Sequence, residues 1–347
     1  MRTGPLVAIV SALALVAGAC GSASSRPCDA AAWIGSPEHR IAPDGPTSGY
    51  SVGLDGSVRP AEVRRLRPTS YGLVGATDPA GRRSAEWQQN GDRRLVLRGD
   101  GPAITIARGV SSQPIWRPDG LAIAFGKAGS LHVAAAADGW RTRNLGVAIC
   151  SLGGPAWSPD GNLLALVSPR DHDRCEAGAS LVVLDARSGA AIGHEDTTAA
   201  VPMQPAWSPD GRFAAESPAV TPTGIALVPR SPSVGRARVL RRCTASWWAP
   251  SGARLVAGCD GHLVLVAADT GARVDYDTPA VGPGLGPVWS TDGHRFALLA
   301  DGTILVATDD GRATLVRMGG CLSVTVQRFA RDGRRVLVTA APQTGGD

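Results

Sequence analysis

The side chains able to do chemistry are few and widely spread. The six histidines, His39, His132, His172, His194, His262 and His294, are dispersed along the chain, and no CxxC pair accompanies them. HExxH and a Walker loop are missing, and the G-x-S-x-G match at Gly49-Tyr50-Ser51-Val52-Gly53 falls in a stretch that reads as a strand instead of a strand-to-helix elbow, so metalloprotease, nucleotide-cleaving and α/β-hydrolase chemistry has no starting point here. The most polar cluster is Asp171-His172-Asp173-Arg174-Cys175. Two carboxylates and an imidazole are metal-ligand types, but consecutive residues converge on one ion only where the backbone is sharply folded, and the spacing is not that of an EF-hand. The cluster therefore reads as an exposed loop in which Asp171, His172, Asp173 and Arg174 offer binding contacts. The sequence asks for no catalytic residue, no metal and no cofactor.

The cysteines have a different logic. Setting Cys20 aside leaves Cys28, Cys150, Cys175, Cys243, Cys259 and Cys321, an even number that reads as disulfides in an oxidising compartment. Six cysteines allow fifteen pairings, which sequence alone does not fix; local geometry suggests Cys243 with Cys259 across adjacent strands and Cys150 with Cys175 within one repeat. That leaves Cys28 and Cys321, one near each end of the mature chain. A metal site or a catalytic thiol is the competing reading, without CxxC spacing or a histidine partner to support it.

The compartment follows from the first twenty residues. Arg2 gives a positive start, Leu6 to Val16 is apolar, and small residues at Ala17-Gly18-Ala19 precede Cys20. This is the layout of an export signal, too short for a bilayer span of about 20 apolar residues. The Ala-Gly-Ala-Cys end resembles the lipobox of bacterial lipoproteins, which implies a lipidated Cys20 as the first residue of the mature chain, outside the cytoplasm and anchored to the cell membrane. The alternative is an ordinary secretory signal with Cys20 discarded or oxidised. The net charge of +5 is almost all arginine, with Lys127 the only lysine. The arginines are scattered among acidic residues without a basic run, which reads as solvated surface charge rather than a nucleic-acid interface.

One pattern recurs along the rest of the chain: an aromatic, then a turn, then glycine at plus four. It begins at Trp116, Trp157 and Trp207 in its fullest forms (Trp157-Ser158-Pro159-Asp160-Gly161), and at Trp248, Trp289, Phe329 and Trp87 in looser ones. Proline presets the first corner of a turn and glycine accepts a positive φ, so each motif is a hairpin tip. The strands that follow are short and apolar on both sides, as suits sheets buried between neighbouring sheets. Repeats of about 40 to 50 residues have the length of one four-stranded blade. Between Trp87 and Trp116 the gap is shorter.

These motifs resemble the repeats of TolB-like, WD-like β-propellers over roughly residues 80 to 340. The resemblance implies an all-β fold, a single propeller of four-stranded blades. Seven blades fit best, with six or eight open. The last motif lacks strands after it, so N-terminal strands are expected to complete the final blade. Tyr50 to Leu54 and Val63 to Leu66 are the candidates, and Ile41 to Gly45 looks like a decayed motif. A Cys28–Cys321 bridge would lock that closure. The expected organisation is a signal peptide over 1–19, a lipid anchor and tether over 20–38, and a propeller over 39–347. The expected role is a monomeric scaffold in the cell envelope that binds another envelope protein or a small ligand, with no nucleic acid. The rival is a hydrolase, lactonase or lyase working at the channel mouth, which would need acidic and histidine side chains converging there.

Overall fold

The computed structural model describes residues 33–36, 39–41, 48–61, 75–88, 93–99, 101–150, 154–170, 175, 178–197, 204–216, 224–279, 286–300, 303–319 and 322–342. Cys20, Cys28, Cys321 and Asp171 to Arg174 lie outside the described residues, so the expected lipidation, Cys28–Cys321 bridge and binding loop fall there.

The described strands form seven antiparallel sheets, numbered I to VII here, each with a core of four strands taken in order. Sheet I holds Gly75–Thr77, Ser84–Gln88, Arg94–Arg98 and Ile104–Ala107. Sheet II holds Ile115–Trp116, Ala122–Lys127, Ser130–Ala135 and Thr142–Ala148. Sheet III holds Ala156–Trp157, Leu163–Pro169, Ala179–Asp185 and Ala191–Thr197. Sheet IV holds Ala206–Trp207, Phe213–Glu216, Gly224–Pro229 and Arg238–Arg241. Sheet V holds Cys243–Trp248, Arg254–Cys259, His262–Ala267 and Arg273–Pro279. Sheet VI holds Val288–Trp289, Arg295–Ala300, Thr303–Thr308 and Ala313–Gly319. Sheet VII joins the two ends of the chain: Leu322–Phe329 and Arg335–Pro342 pair with Ser48–Gly53 and Val58–Pro60.

The sheets stack face to face in series. Six apolar clusters each draw on two successive sheets, from I with II through to VI with VII. Middle strands are buried on both faces, as in Leu163–Val167 and Ile225–Val228, which is why they read as unbroken apolar runs instead of alternating ones. Fourth strands are exposed or half-buried at most positions. This is β-propeller architecture.

The chain's two ends meet as expected, with one difference. Ser48–Gly53 pairs with Arg335–Pro342 along its length, but the fourth strand of sheet VII is Val58–Pro60. Val63 to Leu66 lies outside the described residues, as does Ala42 to Gly45. Hydrogen bonds from Gly53 N–H to Ser57 O (2.9 Å) and Gly56 N–H to Gly53 O (3.0 Å) close the turn at once, so the return strand begins earlier than Val63. A second hairpin, Trp33–Ser36 with His39–Ile41, adds two strands to the outer edge of sheet VI through Trp33↔Gly319 and Ile34↔Met318. Part of the stretch read as tether is therefore sheet.

Candidate functional site: the inner strands

The repeated motif builds one turn seven times over. The residue after the aromatic donates its N–H to the carbonyl five residues on, as in Ser158 to Leu163 (3.0 Å), Ser208 to Phe213 (2.8 Å) and Ala330 to Arg335 (2.8 Å). The turn glycines, from Gly120 to Gly333, all have φ between +63° and +72°, a region that only glycine enters cheaply. Where serine follows the tryptophan, serine and aspartate complete the turn. Ser158 Oγ donates to Asp160 Oδ1 (2.6 Å) and accepts from Leu163 N–H (3.0 Å), and Ser208 and Ser290 repeat this.

Sheet I carries the same turn where the sequence hides it. Asp78 N–H donates to Arg83 O (2.8 Å), Gly81 N–H donates to Asp78 O (2.9 Å), and Gly81 has φ +70°. The motif of this sheet is thus Thr77-Asp78-Pro79-Ala80-Gly81, with threonine in the aromatic position. Its distance to Trp116 matches the other repeats, which removes the short gap. Trp87 sits on the second strand of sheet I and packs against the cluster shared with sheet II; Gln89 to Gly91 lie outside the described residues.

The tryptophans hold neighbouring first strands side by side. The indole N–H of Trp157 donates to Ile115 O, that of Trp207 to Ala156 O, and that of Trp248 to Ala206 O, each at 3.0 Å. Each acceptor belongs to the residue just before a motif position in the preceding sheet. Trp116 and Phe329 are buried in the same inter-sheet position, and Trp289 leans on Phe296 with ring centroids 5.0 Å apart. These motif aromatics pack and hydrogen-bond between sheets.

The first strands are thereby linked along one common edge of the stacked sheets, and their composition decides what that edge can do. The residue before each motif position reads Ala76, Ile115, Ala156, Ala206, Trp247, Val288 and Arg328. Among the described residues, the first strands contain no aspartate, glutamate or histidine. Their one charged residue is Arg328, which is exposed, as is Ala206. Towards one end, Gln204 Nε2 donates to Pro155 O (3.1 Å), linking sheets IV and III. The edge offers aliphatic, indole and guanidinium surface.

The titratable groups lie elsewhere. His132 stacks on Phe125 (5.9 Å), and burial, with Lys127 nearby, lowers its pKa, so it is held neutral in sheet II. His294 Nδ1 meets Asp309 Oδ2 at 2.6 Å on the turn side of the V–VI interface. No group of three His, Cys, Asp or Glu side chains among the described residues is placed to hold a metal, and no described helix is long and apolar enough to cross a membrane. Both locally argued disulfides are present, Cys150–Cys175 and Cys243–Cys259; the second joins residues in register on neighbouring strands.

Arginines missed by the sequence reading tie sheets together on the turn side. Arg254 reaches Asp309 (2.5 Å) and Gly293 O (3.2 Å) of sheet VI. Arg295 donates to Gly333 O of sheet VII (3.0 Å), and the Arg83 guanidinium lies 5.6 Å from the Trp140 ring of sheet II. They share one place, the residue that closes the motif turn, so their spacing from the motif glycine was the available signal.

No protein-family model matches the chain, and no curated protein matches it in sequence. Among solved structures, a chain from the "Crystal Structure of Mitotic Checkpoint Complex" is similar at 15% identity and a TM-score of 0.46, covering 82% of this chain and 97% of that one. TolB from Acinetobacter baumannii is similar at 15% identity and a TM-score of 0.35, covering 78% of this chain and 66% of that one. At this identity, and with TM-scores under 0.5, these likenesses leave function to the chain's own residues.

Proposed function

We propose that this chain is an extracytoplasmic lipoprotein whose seven sheets close into one ring, and that it binds another envelope protein or a small ligand through its inner edge. The observation that carries the reading is the make-up of the first strands. They bring aliphatic and indole surface and the exposed Arg328 to one edge, without the carboxylate and imidazole pairs that proton transfer needs. A rigid stack with such an edge is suited to contact.

Two experiments test it. Cys20→Ala is expected to release the protein from the membrane fraction; retention equal to wild type would refute the anchor. For binding, a photo-crosslinking residue is placed in intact cells at the exposed inner position Ala206 or at the exposed outer position Leu315, on the fourth strand of sheet VI. A discrete adduct from Ala206 and none from Leu315 supports the inner edge as the contact surface. Equal capture at both positions would count against it.

A further inference from the structure

Sheets II and III enclose a cavity of about 370 Å³ on the turn side, and its origin can be read from the repeat. At the residue that closes the motif turn, sheets I, V and VI have Arg83, Arg254 and Arg295, whose guanidinium groups run towards the next sheet. Sheets III and IV have Leu163 and Phe213 there, both buried in inter-sheet clusters. Sheet II alone has a small residue, Ala122, identified by the same hydrogen bond from Arg117 N–H (2.8 Å). Ala122 lines the cavity. The space filled by a long side chain at the other interfaces is therefore left open at this one.

The lining defines what fits. The floor is apolar: Val133, Ala135 and the Trp157 ring. The rim brings three guanidinium groups, Arg117, Arg143 and Arg187, against one lining carboxylate, Asp185. Arg117 is committed to Asp119 (2.7 Å). Arg143 is held in place by Arg187 O (2.7 Å) and Ala186 O (3.2 Å), carbonyls that leave its charge uncompensated. Arg187 has no ion pair among the described residues. With Asp119 and Asp185 set against the three arginines, one positive charge remains.

The geometry points to a ligand site here for a small monoanion, a carboxylate on an apolar body, with the body on Val133 and Trp157 and the carboxylate on the arginine rim. A cavity of this size with an apolar floor and a few placed polar groups is the usual form of a small-molecule site, and a planar guanidinium is matched to a carboxylate. The site is distinct from the inner edge and stands whether or not a protein binds there.

The fold supplies its own control. Ala122→Arg restores the residue type of sheets I, V and VI and fills the cavity. Binding of 3-phenylpropanoate to the full chain is followed by saturation-transfer NMR, beside its uncharged amide and beside the A122R variant under identical conditions. Saturable binding of the carboxylate to wild type is expected, weakened roughly tenfold or more for the amide and for A122R. Arg187→Gln, a change at an exposed position, is expected to weaken it about fivefold, and it carries the test should A122R fail to fold. Equal binding of the amide, undiminished binding by folded A122R or by R187Q, or no saturable binding up to about 10 mM would each overturn the assignment.

Discussion

The indole N–H of Trp207 donates to the backbone carbonyl of Ala156, 3.0 Å away in the preceding sheet. The ring itself is buried in the cluster that joins sheets III and IV, so one side chain supplies both apolar burial and a polar link between first strands. The two parts separate by mutation. Trp207→Phe keeps most of the apolar contact and loses the donor, which is expected to cost about 1 kcal/mol. Trp207→Ala also opens a cavity and is expected to cost about 3–5 kcal/mol. Urea unfolding of both variants measures the difference; equal losses would mean that the hydrogen bond, not the packing, dominates.

Much of this arrangement is legible in the sequence, for reasons that can be assigned. Trp157-Ser158-Pro159-Asp160-Gly161 is readable because each residue is needed by the turn it makes, down to the Ser158–Asp160 hydrogen bond. The Cys243–Cys259 pair is readable because a short hairpin leaves few alternatives. Thr77 was not readable. The turn needs Asp78 and Gly81 but tolerates threonine in place of the aromatic, and Trp87, nearby on the next strand, supplied a false match. The arginine links were equally hidden, because Arg254 looks like any surface arginine until the next sheet brings Asp309 against it. The cavity beside Ala122 is a missing side chain, which shows only when all the repeats are aligned on their turn hydrogen bonds.

Asp309 joins sheets V and VI by accepting from Arg254 at 2.5 Å and meeting His294 Nδ1 at 2.6 Å. The Asp309 and Arg254 side chains are 22% and 28% exposed, so water screens the pair only in part. Asp309→Ala leaves Arg254 with the Gly293 carbonyl and is expected to destabilise by about 1–3 kcal/mol. Arg254→Ala is expected to cost a similar amount. The double variant should lose less than the two singles together, by about 1 kcal/mol. A thermodynamic cycle on urea midpoints measures this, and strict additivity would show that the two residues act separately.

Acid should loosen the turn side. Burial of Asp160 disfavours its charge, but the Ser158 hydroxyl, hydrogen bonding from Asn162 and the Arg230 guanidinium outweigh that and bring its pKa down to about 2. Asp292 is lowered chiefly by the Ser290 hydroxyl, and Asp119 chiefly by Arg117. A carboxylate held lower in the folded state than its unfolded value of about 3.9 contributes stability that is complete above that value and is lost as pH falls through the folded one. Melting temperature should therefore fall between about pH 4 and pH 2. Asp160→Asn should melt below wild type at neutral pH and approach it at pH 2. A gap that stays constant over this range would rule out Asp160 as a contributor.

Sheet VII makes the strongest demand on the whole chain, because its third and fourth strands come from the opposite end of the sequence. Tyr50 and Val52 are buried in the cluster shared with sheet VI. Arg335 donates to Ser51 O (2.7 Å) and Ser57 O (3.0 Å), and Thr314 Oγ1 donates to Leu54 O. A chain starting at Ala61 would leave the Arg335–Pro342 edge unpaired over the register Ser48↔Ala340 to Gly53↔Arg335, an exposed edge open to pairing with other chains. It is expected to aggregate on size-exclusion chromatography. A chain starting at Ala42 loses the Trp33–Ile41 hairpin but keeps sheet VII, and should elute as a folded monomer. Adding a peptide of residues 46–61 to the shorter chain during refolding should restore the monomer, because it returns the missing strands and the buried Tyr50 ring. A peptide with Tyr50→Asp should fail, since it would place a carboxylate in the apolar cluster between sheets VI and VII.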